Sequence, residues 1–331
     1  MFLLICIVLS ISASEVFTSD YSLLDQDYYD LNDAKATFNQ FIQKYGKQYD
    51  DRIDYHFEVF KQNLENINKW NEEKGNKMFG INAFTDLTFK EFSQFYLGFN
   101  ATNITGEGIL YKPIGIAAPD SLNWRDSGYV SSVKYQKSCG SCFVFSAIGN
   151  VEGQYAKKHN TQAFSLSVQQ GLDCVSQGNC ERGGVTHDVY QALADQGGSM
   201  REEDYPYENE KGQCRTQKDK IAVKVTGGSQ ISVSGEDDLK EALATHGPLS
   251  ASLCVDDQFK AYTGGVFRPS SPCNQHNHAT LLVGYGNDGH DNYWIIKNSW
   301  DTIWGEQGYI RLVRGESACA IGSYVACSTV E

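Results

Sequence analysis

The cysteines are distributed unevenly along the 331-residue chain, and this distribution most constrains how the chain can fold. Apart from Cys6, all of them lie in residues 117–331, and residues 15–116 contain none. Ten cysteines are too many for an ordinary reducing compartment and predict a disulfide framework. We therefore expect two units with different fates, a cysteine-free front part and a cross-linked back part.

The N-terminus predicts the compartment. Residues 2–9 form an apolar run that is too short to span a bilayer, which takes about 20 residues. Small residues follow it up to Ser14 and Glu15, which is typical of a secretory signal peptide. We expect residues 1–14 to be removed; a buried N-terminal strand is the alternative. The sequons that begin at Asn100 and Asn103 predict glycosylation of an exposed, secreted linker.

Composition excludes some classes of function. Lys and Arg number 28 against 41 Asp and Glu, so the net charge is −13. That acidity argues against a nucleic-acid or anionic-membrane binder, which would need a basic face. The chain is 41% apolar and 21% charged, which predicts a packed core rather than disorder. No segment after the signal peptide is apolar enough to span a membrane.

The apolar pattern predicts an α+β protein. Residues 53–70 carry a stripe at steps of three and four, and residues 34–47 and 142–158 also have helical spacing. Helices are expected after a cap at Ser165 or Ser167, and after Ser234 with Asp237. Strands are expected over residues 278–285, 293–298 and 309–313. A helical part followed by a strand-rich part suggests two lobes with a cleft between them.

A turn signal over residues 287–290 places an imidazole beside a carboxamide. If the hairpin folds about Asp288, His278 falls opposite Asn298 on the same face of the sheet. A register error of one residue would send one of them to the other face. The alternative is that both are ordinary strand residues.

Cys142 is the candidate nucleophile. It begins a predicted helix, and the positive end of a helix dipole favours the thiolate. A thiolate beside an imidazole that a third group orients is the arrangement that covalent catalysis needs. The pair Cys139 and Cys142 could instead form a redox site or half of a zinc site. Neither is favoured, because the chain has no second C-x-x-C, and we expect no metal and no cofactor.

Three segments resemble those that carry the reacting groups of papain-family cysteine proteases. They are residues 136–146 around Cys142, residues 278–286 beginning at His278, and residues 293–300 around Asn298. Residues 304–309 continue the match, and three segments in the right order make chance agreement remote. Residues 80–86 resemble the Gly-x-Asn-x-Phe-x-Asp motif of cathepsin L-like propeptides, and residues 60–71 resemble part of their long helix motif. Arg52 and His56 depart from that motif, where Glu and Arg are usual.

The resemblance implies a fold and a division of the chain. The fold would be papain-like α+β, with a helical left lobe and an antiparallel, β-barrel-like right lobe, preceded by a helical propeptide. Residues 1–14 would be the signal peptide, residues 15–117 an inhibitory propeptide and residues 118–331 the mature peptidase domain. The protein would be a thiol-dependent endopeptidase made as a secreted zymogen. Acid would release the propeptide by protonating carboxylates such as Asp86.

The resemblance also assigns roles to residues. Cys142 would attack the peptide carbonyl as a thiolate paired with His278, Asn298 would hold the imidazole, and Gln136 would donate to the oxyanion. Trp300 would shield the hydrogen bond between His278 and Asn298 from water. A further group would bind substrate: Gly183, Gly184, Val185, Thr186, Ser252, Asn277, Ala279, Trp300 and Tyr324. With Tyr324 at its floor, the main pocket should be shallow and favour Val- or Leu-sized side chains over long basic ones.

The family pattern of disulfides implies the pairs Cys139–Cys180, Cys174–Cys214 and Cys273–Cys319. Cys142 then stays free. Cys254 and Cys327 are left over, either as a fourth bridge or as two buried thiols.

Several residues depart from the family pattern. Phe143 replaces a Trp, Lys137 replaces a Gly, and one residue is inserted before Gly183 and Gly184. Asp301 replaces another Gly, and its carboxylate is expected to raise the pKa of His278. These departures keep a second class of function open, a catalytically silent papain-fold binding protein. A third class, a secreted structural protein, does not explain the three ordered segments.

Expected partners are protein and peptide substrates, the chain's own propeptide as inhibitor, and cystatin-type inhibitors. No nucleic acid and no membrane span are expected, and the protein should be a monomer. The compartment would be the secretory pathway, ending in a lysosome-like organelle, an extracellular fluid or a digestive fluid.

Overall fold

The structure is a computed structural model that describes residues 21–100, 108–113, 118–273 and 275–331. The expected signal peptide and Asn103 lie outside these residues. Within them, no helix combines the length and the apolar character needed to cross a membrane. The described chain has a helical front part and a mixed α+β back part, as the sequence predicts.

The front part contains three described α-helices, of which the first two follow the predicted periodicity and the third was not predicted. They are α1 (Ala34–Tyr45), α2 (Ile53–Lys74) and α3 (Phe89–Tyr96). The stripe on α2 is only partly buried: Phe60, Leu64 and Ile67 are inside the core, whereas Ile53 is 40% exposed. The first turn of α2 therefore faces solvent, and its later turns hold the front part together.

A capping box begins α3. The Thr88 hydroxyl accepts a hydrogen bond from the Glu91 backbone N–H, and the Glu91 carboxylate accepts one from the Thr88 N–H. Two backbone donors at the helix start are thereby satisfied. The box fixes the start of α3 at Phe89.

The back part contains helices α4 (Cys142–His159), α5 (Val168–Cys174), α6 (Thr186–Gln196), α7 (Glu236–His246) and α8 (Asp257–Lys260). Ser167 caps α5 by accepting from the Gln170 N–H, so one of the two predicted caps is confirmed. The predicted cap of α7 is wrong. The Ser234 N–H donates to Asp238, and Gly235 precedes the helix without a side-chain cap.

Most of the strands join one sheet. They are β1 (Ile109–Leu110), β2 (Leu122–Asn123), β3 (Ser199–Met200), β4 (Ile221–Val223), β5 (Val225–Ser232), β6 (Leu249–Leu253), β7 (Val266–Phe267), β8 (His278–Asn287), β9 (Asn292–Lys297), β10 (Tyr309–Val313) and β11 (Val325–Val330). The order is β1-β5-β11-β6-β8-β9-β10-β7, with β2 on β8, and β3 pairs with β4 separately. In the described residues the sheet is thus an open path between β1 and β7.

Two hydrophobic clusters correspond to the two expected lobes. One is built on α4, α5 and α6, and the other on β8, β9, β10 and α7 together with the front helices. α4 is buried along most of its length, including Cys142, Ile148 and Val151. Its N-terminus lies where the lobes meet, because the Cys142 sulfur accepts a hydrogen bond from the Ala279 N–H near the start of β8.

The hairpin of β8 and β9 differs from the predicted register. Its turn is centred later than expected, because the Asp288 carboxylate accepts from the N–H groups of His290 and Asp291. The register also shifts between Leu282 and Gly284. The prediction that His278 and Asn298 lie directly opposite each other across this hairpin is therefore wrong.

Two expected disulfides are present and the third is changed. Cys139 bonds to Cys180 and Cys174 to Cys214. Cys273 bonds to Cys254, with 5.7 Å between their Cα atoms, so the expected Cys273–Cys319 bridge is wrong for this structure. Cys319 and Cys327 are free, and so is Cys142.

Strand pairing explains why Cys273 bonds to Cys254 and not to Cys319. Leu253 pairs with His278, so the loop that leaves β6 at Cys254 returns to the sheet beside its own start. Cys273 thereby comes within reach of Cys254. Cys319 stays close on the other side, where its carbonyl accepts from the Cys254 N–H at 2.9 Å.

Peptide mapping without reduction tests this arrangement. Digestion of the alkylated protein should release linked peptides for Cys139–Cys180, Cys174–Cys214 and Cys254–Cys273, with Cys319 and Cys327 alkylated. A linked peptide that joins Cys273 to Cys319 would restore the pattern implied by the family resemblance and contradict the structure.

Candidate active site

Cys142 is the first residue of α4 and lies fully buried where the lobes meet. The loop before it is held by the Cys139–Cys180 bridge and by the Gly140 N–H, which donates to the Cys180 carbonyl at 3.0 Å. Because Cys139 is bonded elsewhere, the Cys142 thiol stays free. The alternative hypotheses, that Cys139 and Cys142 form a redox site or half of a zinc site, therefore lose their support. Among the described residues, no three His, Cys, Asp or Glu side chains are grouped to hold a metal ion.

His278 begins β8 and comes from the other lobe. Its Nε2 lies 2.8 Å from Asn298 Oδ1. The backbone N–H of the next residue, Ala279, donates to the Cys142 sulfur at 3.4 Å. Within the described part of the chain, Nδ1 of His278 is buried without a hydrogen-bond partner. The fold thus brings the thiol to the start of β8 and leaves one imidazole nitrogen available.

Trp300 covers the pair formed by His278 and Asn298. Its ring stacks on the imidazole with 4.7 Å between centroids and is fully buried. The register explains this contact. Leu282 pairs with Ile296, and continuing that register brings His278 opposite Trp300 rather than Asn298. Asn298 is then a diagonal neighbour, within reach of an imidazole.

Gln136 is oriented by three contacts. Its Oε1 accepts from the Ser299 hydroxyl at 2.6 Å, and its Nε2 donates to the carbonyls of Cys139 at 2.9 Å and Tyr96 at 3.2 Å. Tyr96 belongs to the front part, so a peptide carbonyl of that part already occupies a position where Gln136 donates. The side chain is therefore placed to stabilise negative charge on a carbonyl oxygen.

Burial keeps both reacting groups neutral in this state. It raises the pKa of Cys142 to about 11, which the N–H groups around the sulfur, including that of Phe143 in the first turn of α4, only partly offset. It lowers the pKa of His278 to about 4, while Asn298 acts in the opposite direction. Desolvation raises the pKa of the Cys142 thiol by more than the N–H groups at the start of α4 lower it. A thiol and a neutral imidazole result, not the expected ion pair.

The expected effect of Asp301 is also wrong. The pKa of His278 is lowered, and Asp301 is not among its causes. The Asp301 carboxylate instead accepts from the Thr302 N–H at 2.6 Å. Its backbone has φ of 63°, a left-handed conformation in which glycine is usual.

Residues 96–100 cover the reacting groups and pair with the loop that follows Cys180. The Gly184 N–H donates to the Gly98 carbonyl at 2.8 Å, and the Asn100 N–H donates to the Gly184 carbonyl at 3.1 Å. The Phe99 N–H donates to the Asn277 carbonyl at 3.1 Å. Two of the expected substrate-binding residues, Gly184 and Asn277, are therefore engaged by an extended backbone.

Gly98 lies directly against the nucleophile. Its N–H points at the Cys142 sulfur and lowers the pKa of the thiol slightly against burial. A Cβ added to Gly98 would collide with the carbonyl of Gly140. The Cys142 sulfur therefore faces the Gly98 N–H and not a carbonyl carbon. In this geometry the sulfur is not placed to attack a peptide bond of residues 96–100.

The residue inserted before the glycine pair is absorbed by a local turn. Asn179 Oδ1 accepts from the N–H groups of Glu181 and Arg182, and Asn179 bridges back to Gly183. Gly183 has φ of 65° and lies so close to Gly98 that a side chain would not fit. The Phe143 ring packs beneath Gly184. Gly184 is thereby the residue whose backbone pairs with residues 98–100.

Phe99 fills the side pocket. Its ring lies 4.9 Å from the Tyr324 ring and 6.2 Å from the His276 ring. Tyr324 is fixed at the floor, with its hydroxyl 3.0 Å from Thr186 and 3.1 Å from His187. The pocket is therefore deep enough for a benzyl side chain, whereas the sequence predicted a shallow one.

The remaining predicted pocket residues lie around this ring. Ser252, Ala279 and Val185 are buried, and the Ser252 hydroxyl is 2.7 Å from His276 Nδ1. Sequence reasoning missed His276 and His187. The position of His276, two residues before His278 on the same approach to β8, was the signal that could have found it.

Comparisons with known proteins agree with this geometry. Residues 118–329 match the family model described as papain family cysteine protease, and residues 38–92 match the cathepsin propeptide inhibitor domain (I29). The chain is 38% identical over 305 residues to a cathepsin L-like proteinase of Fasciola hepatica, covering 88% of this chain and 93% of that one. It is 36% identical over 314 residues to a viral cathepsin of Adoxophyes honmai nucleopolyhedrovirus, covering 91% and 92%. A solved structure of digestive procathepsin L2 from Tenebrio molitor larval midgut superposes with a TM-score of 0.82 at 32% identity, covering 89% and 99%.

Replacement of Gly98 tests how this segment masks Cys142. With a pKa of about 11, roughly one thiol in a thousand is ionised at pH 8, so iodoacetamide should label Cys142 slowly. Gly98→Ala should displace the segment, hydrate the thiol and raise the labelling rate at pH 8 at least tenfold, as measured by mass spectrometry of the Cys142 peptide.

Gly235→Ala is the matched control, because a Cβ there meets no atom within 4 Å and the residue has an extended backbone. It should leave the labelling rate unchanged. Equal rates in Gly98→Ala and the wild type would contradict the masking role of the segment.

Proposed function

Because this chain belongs to the papain family of cysteine proteases and carries a cathepsin-type propeptide, we propose that it is a secreted, acid-activated zymogen. The enzyme is a cysteine-type endopeptidase. We assign its chemistry to Cys142, His278, Asn298 and Gln136. The observation that carries this assignment is the contact of the Cys142 sulfur with the start of β8, where His278 Nδ1 has no described protein partner.

The proposed reaction proceeds through an acyl-enzyme. Removal of residues 96–100 admits water, which lowers the pKa of Cys142 and raises that of His278 until the proton moves from sulfur to Nδ1. The thiolate attacks the peptide carbonyl carbon, and His278 gives its proton to the leaving amine as the C–N bond breaks. Neutral His278 then takes a proton from water, which attacks the thioester and releases the acid and the thiol.

Asn298 and Gln136 have positioning and electrostatic roles in this scheme. Asn298 Oδ1 accepts from Nε2–H, which leaves Nδ1 directed to the sulfur in either protonation state. Gln136 Nε2 donates to the carbonyl oxygen as it gains charge, in the position now held by the Tyr96 carbonyl. Loss of one such donor costs about 2.7–4 kcal/mol of transition-state stabilisation.

We propose that substrates are unfolded or extended protein segments with an aromatic or leucine-sized side chain two residues before the cut. Such a segment would pair with Gly184 and the Asn277 carbonyl, as residues 98–100 do. Its side chain would enter the pocket that holds Phe99. In the proenzyme the Tyr324 hydroxyl at the pocket floor is engaged by Thr186 and His187. Asp188 behind it is already paired with His187 at 3.1 Å, so an arginine there would lose its water shell without a direct ion pair.

Fluorogenic dipeptides test the proposed activity and its specificity. Acid-treated protein should hydrolyse substrates with Phe or Leu at that position at least tenfold faster, in kcat/KM, than the Arg analogue, and Cys142→Ala should be inactive. A clear preference for Arg would contradict the pocket assignment. If a thiol probe failed to label Cys142 in processed protein, the catalytically silent binding protein would be favoured.

The propeptide docks on the mature domain through backbone pairing and aromatic packing. The Gly80 N–H donates to the Ala261 carbonyl at 3.0 Å, and Asn82 Nδ2 donates to the Lys260 carbonyl at 2.7 Å. Phe84 and Phe92 meet the Trp300 ring edge-on, at 5.7 and 5.0 Å. The same Trp300 ring covers His278, so docking of the propeptide is coupled to the burial of the catalytic histidine.

One carboxylate of the propeptide supports acid release, and a second one lies in a buried ion pair. Asp86 is buried and accepts from Lys47 Nζ and the Tyr49 hydroxyl, each at 2.8 Å. Burial acts to raise the pKa of Glu91, but hydrogen bonds from Thr88 and Tyr55 prevail and hold it below its ordinary value of 4.5. A carboxylate with a depressed pKa stabilises above its ordinary value and loses that contribution as pH falls through the folded value. The α3 cap should therefore weaken below about pH 4.5.

Processing of the proform across pH tests this release. We expect conversion to the mature form to accelerate as pH falls from 8 to 4, measured by gel at fixed times. Thr88→Ala removes the cap at every pH, at a cost of about 1 kcal/mol, and should extend processing to higher pH. Lys90→Ala, an exposed change on the same helix, should not. Conversion at pH 8 but not at pH 4.5 would contradict acid release.

We further propose the course of the chain in the cell. Residues 1–14 direct it into the secretory pathway, residues 15–117 are removed, and residues 118–331 act as a monomer in a lysosome-like compartment or a secreted digestive fluid. Cystatin-type inhibitors would bind the same cleft. A glycan on Asn100 would compete with propeptide docking, because its side-chain amide donates to the Arg182 carbonyl. Asn103 is the other predicted acceptor.

A further inference from the structure

A second segment of the propeptide binds the mature domain away from the cleft. β1 lies on the edge of the large sheet, parallel to β5, with Ile109 opposite Ile231 and Leu110 opposite Ser232. The next residue, Tyr111, donates its N–H to the Ser232 carbonyl at 2.8 Å. The backbone of β1 thus extends the sheet by one short strand.

Tyr111 anchors this strand. Its side chain is only 7% exposed, whereas Ile109 and Leu110 are 66% and 60% exposed. The ring meets the His246 ring edge-on at 6.0 Å, and the hydroxyl donates to the Glu241 carboxylate at 3.3 Å. One buried aromatic residue and two exposed aliphatic ones indicate a recognition contact through backbone and tyrosine, rather than a continuous core.

The receiving surface belongs wholly to the mature domain. Ile231 and Ser232 end β5, and Glu241, Thr245 and His246 lie on the last turns of α7. When residues 15–117 leave, β5 becomes an outer strand and the tyrosine pocket empties. An exposed edge with a ready pocket is a template for another extended chain.

We propose that this surface, the β5–α7 site, is a peptide-binding exosite of the mature enzyme. It takes an extended segment of a protein substrate that carries a tyrosine after two aliphatic residues, as residues 109–111 do in the intact chain. The Tyr111 hydroxyl donates to the Glu241 carboxylate, so the site favours Tyr over Phe, and the negative charge of that carboxylate repels phosphotyrosine. The exosite rests on the proposed removal of the propeptide, but its binding chemistry is present in the intact chain.

The first test uses intact protein and needs no activity. In full-length Cys142→Ala, the chain's own Tyr111 fills the site, so a fluorescein-labelled Gly-Ile-Leu-Tyr-Lys-Pro peptide should bind poorly. Adding Tyr111→Ala should empty the pocket and produce saturable binding at least tenfold tighter, measured by fluorescence anisotropy. The peptide with Ala in place of Tyr should lose that gain, and so should the added change His246→Ala. Tyr28→Ala, at a side chain that is 69% exposed, is the matched control and should not open the site.

Equal binding of the Tyr and Ala peptides, or no gain in Tyr111→Ala, would overturn the proposal. If Tyr111→Ala does not fold by circular dichroism, Tyr111→Phe serves instead, and an unchanged affinity there would count against the site. In acid-processed enzyme, the Tyr peptide should bind without slowing hydrolysis of a dipeptide substrate. Inhibition would place the peptide in the cleft and refute a separate site. Failure to process would count against the zymogen proposal alone, because the full-length comparison stands by itself.

Discussion

The meeting of one helix terminus with one strand terminus determines the rest of the structure. Cys142 begins α4 in one lobe and His278 begins β8 in the other, and the Ala279 N–H touches the Cys142 sulfur at 3.4 Å. Each element is long and buried, so its first residue is held without mobile loops. A reacting pair built on two rigid termini is sensitive to what fills the space between the lobes, because both side chains are fully buried while that space is filled.

The propeptide uses this sensitivity. Residues 96–100 exclude water, and burial then moves the pKa values of Cys142 and His278 in the directions that favour the neutral forms. No side chain of the propeptide needs to block the thiol, because Gly98 places a backbone N–H there instead. Inhibition is therefore electrostatic as well as steric. Departure of residues 96–100 would let Cys142 and His278 become charged and would open the cleft to substrate.

Much of the site could be predicted from the sequence, though not always for the right reason. The pairing of His278 with Asn298 is present, but the turn is centred later than expected and the register shifts after Leu282. Trp300 takes the directly opposed position, and Asn298 reaches diagonally. Sequence periodicity carries no information about a bulge or about which of three neighbouring cysteines, Cys254, Cys273 and Cys319, will pair. Those outcomes depend on where the ends of a loop meet in space.

The propeptide holds the mature domain by the same physical means at two places. At Gly184 and at Ser232, an extended segment satisfies open backbone groups and inserts one aromatic side chain, Phe99 in the cleft and Tyr111 at the sheet edge. Each contact alone is short, and a two-residue strand pairing is marginal in water. Linked through one chain, the second contact forms at a high effective concentration once the first is made. A single cut between them would make the β1 contact independent of the segment in the cleft, which Gly80 and Asn82 would still tether to the mature domain. Release of the cleft therefore requires that second docking contact to weaken as well.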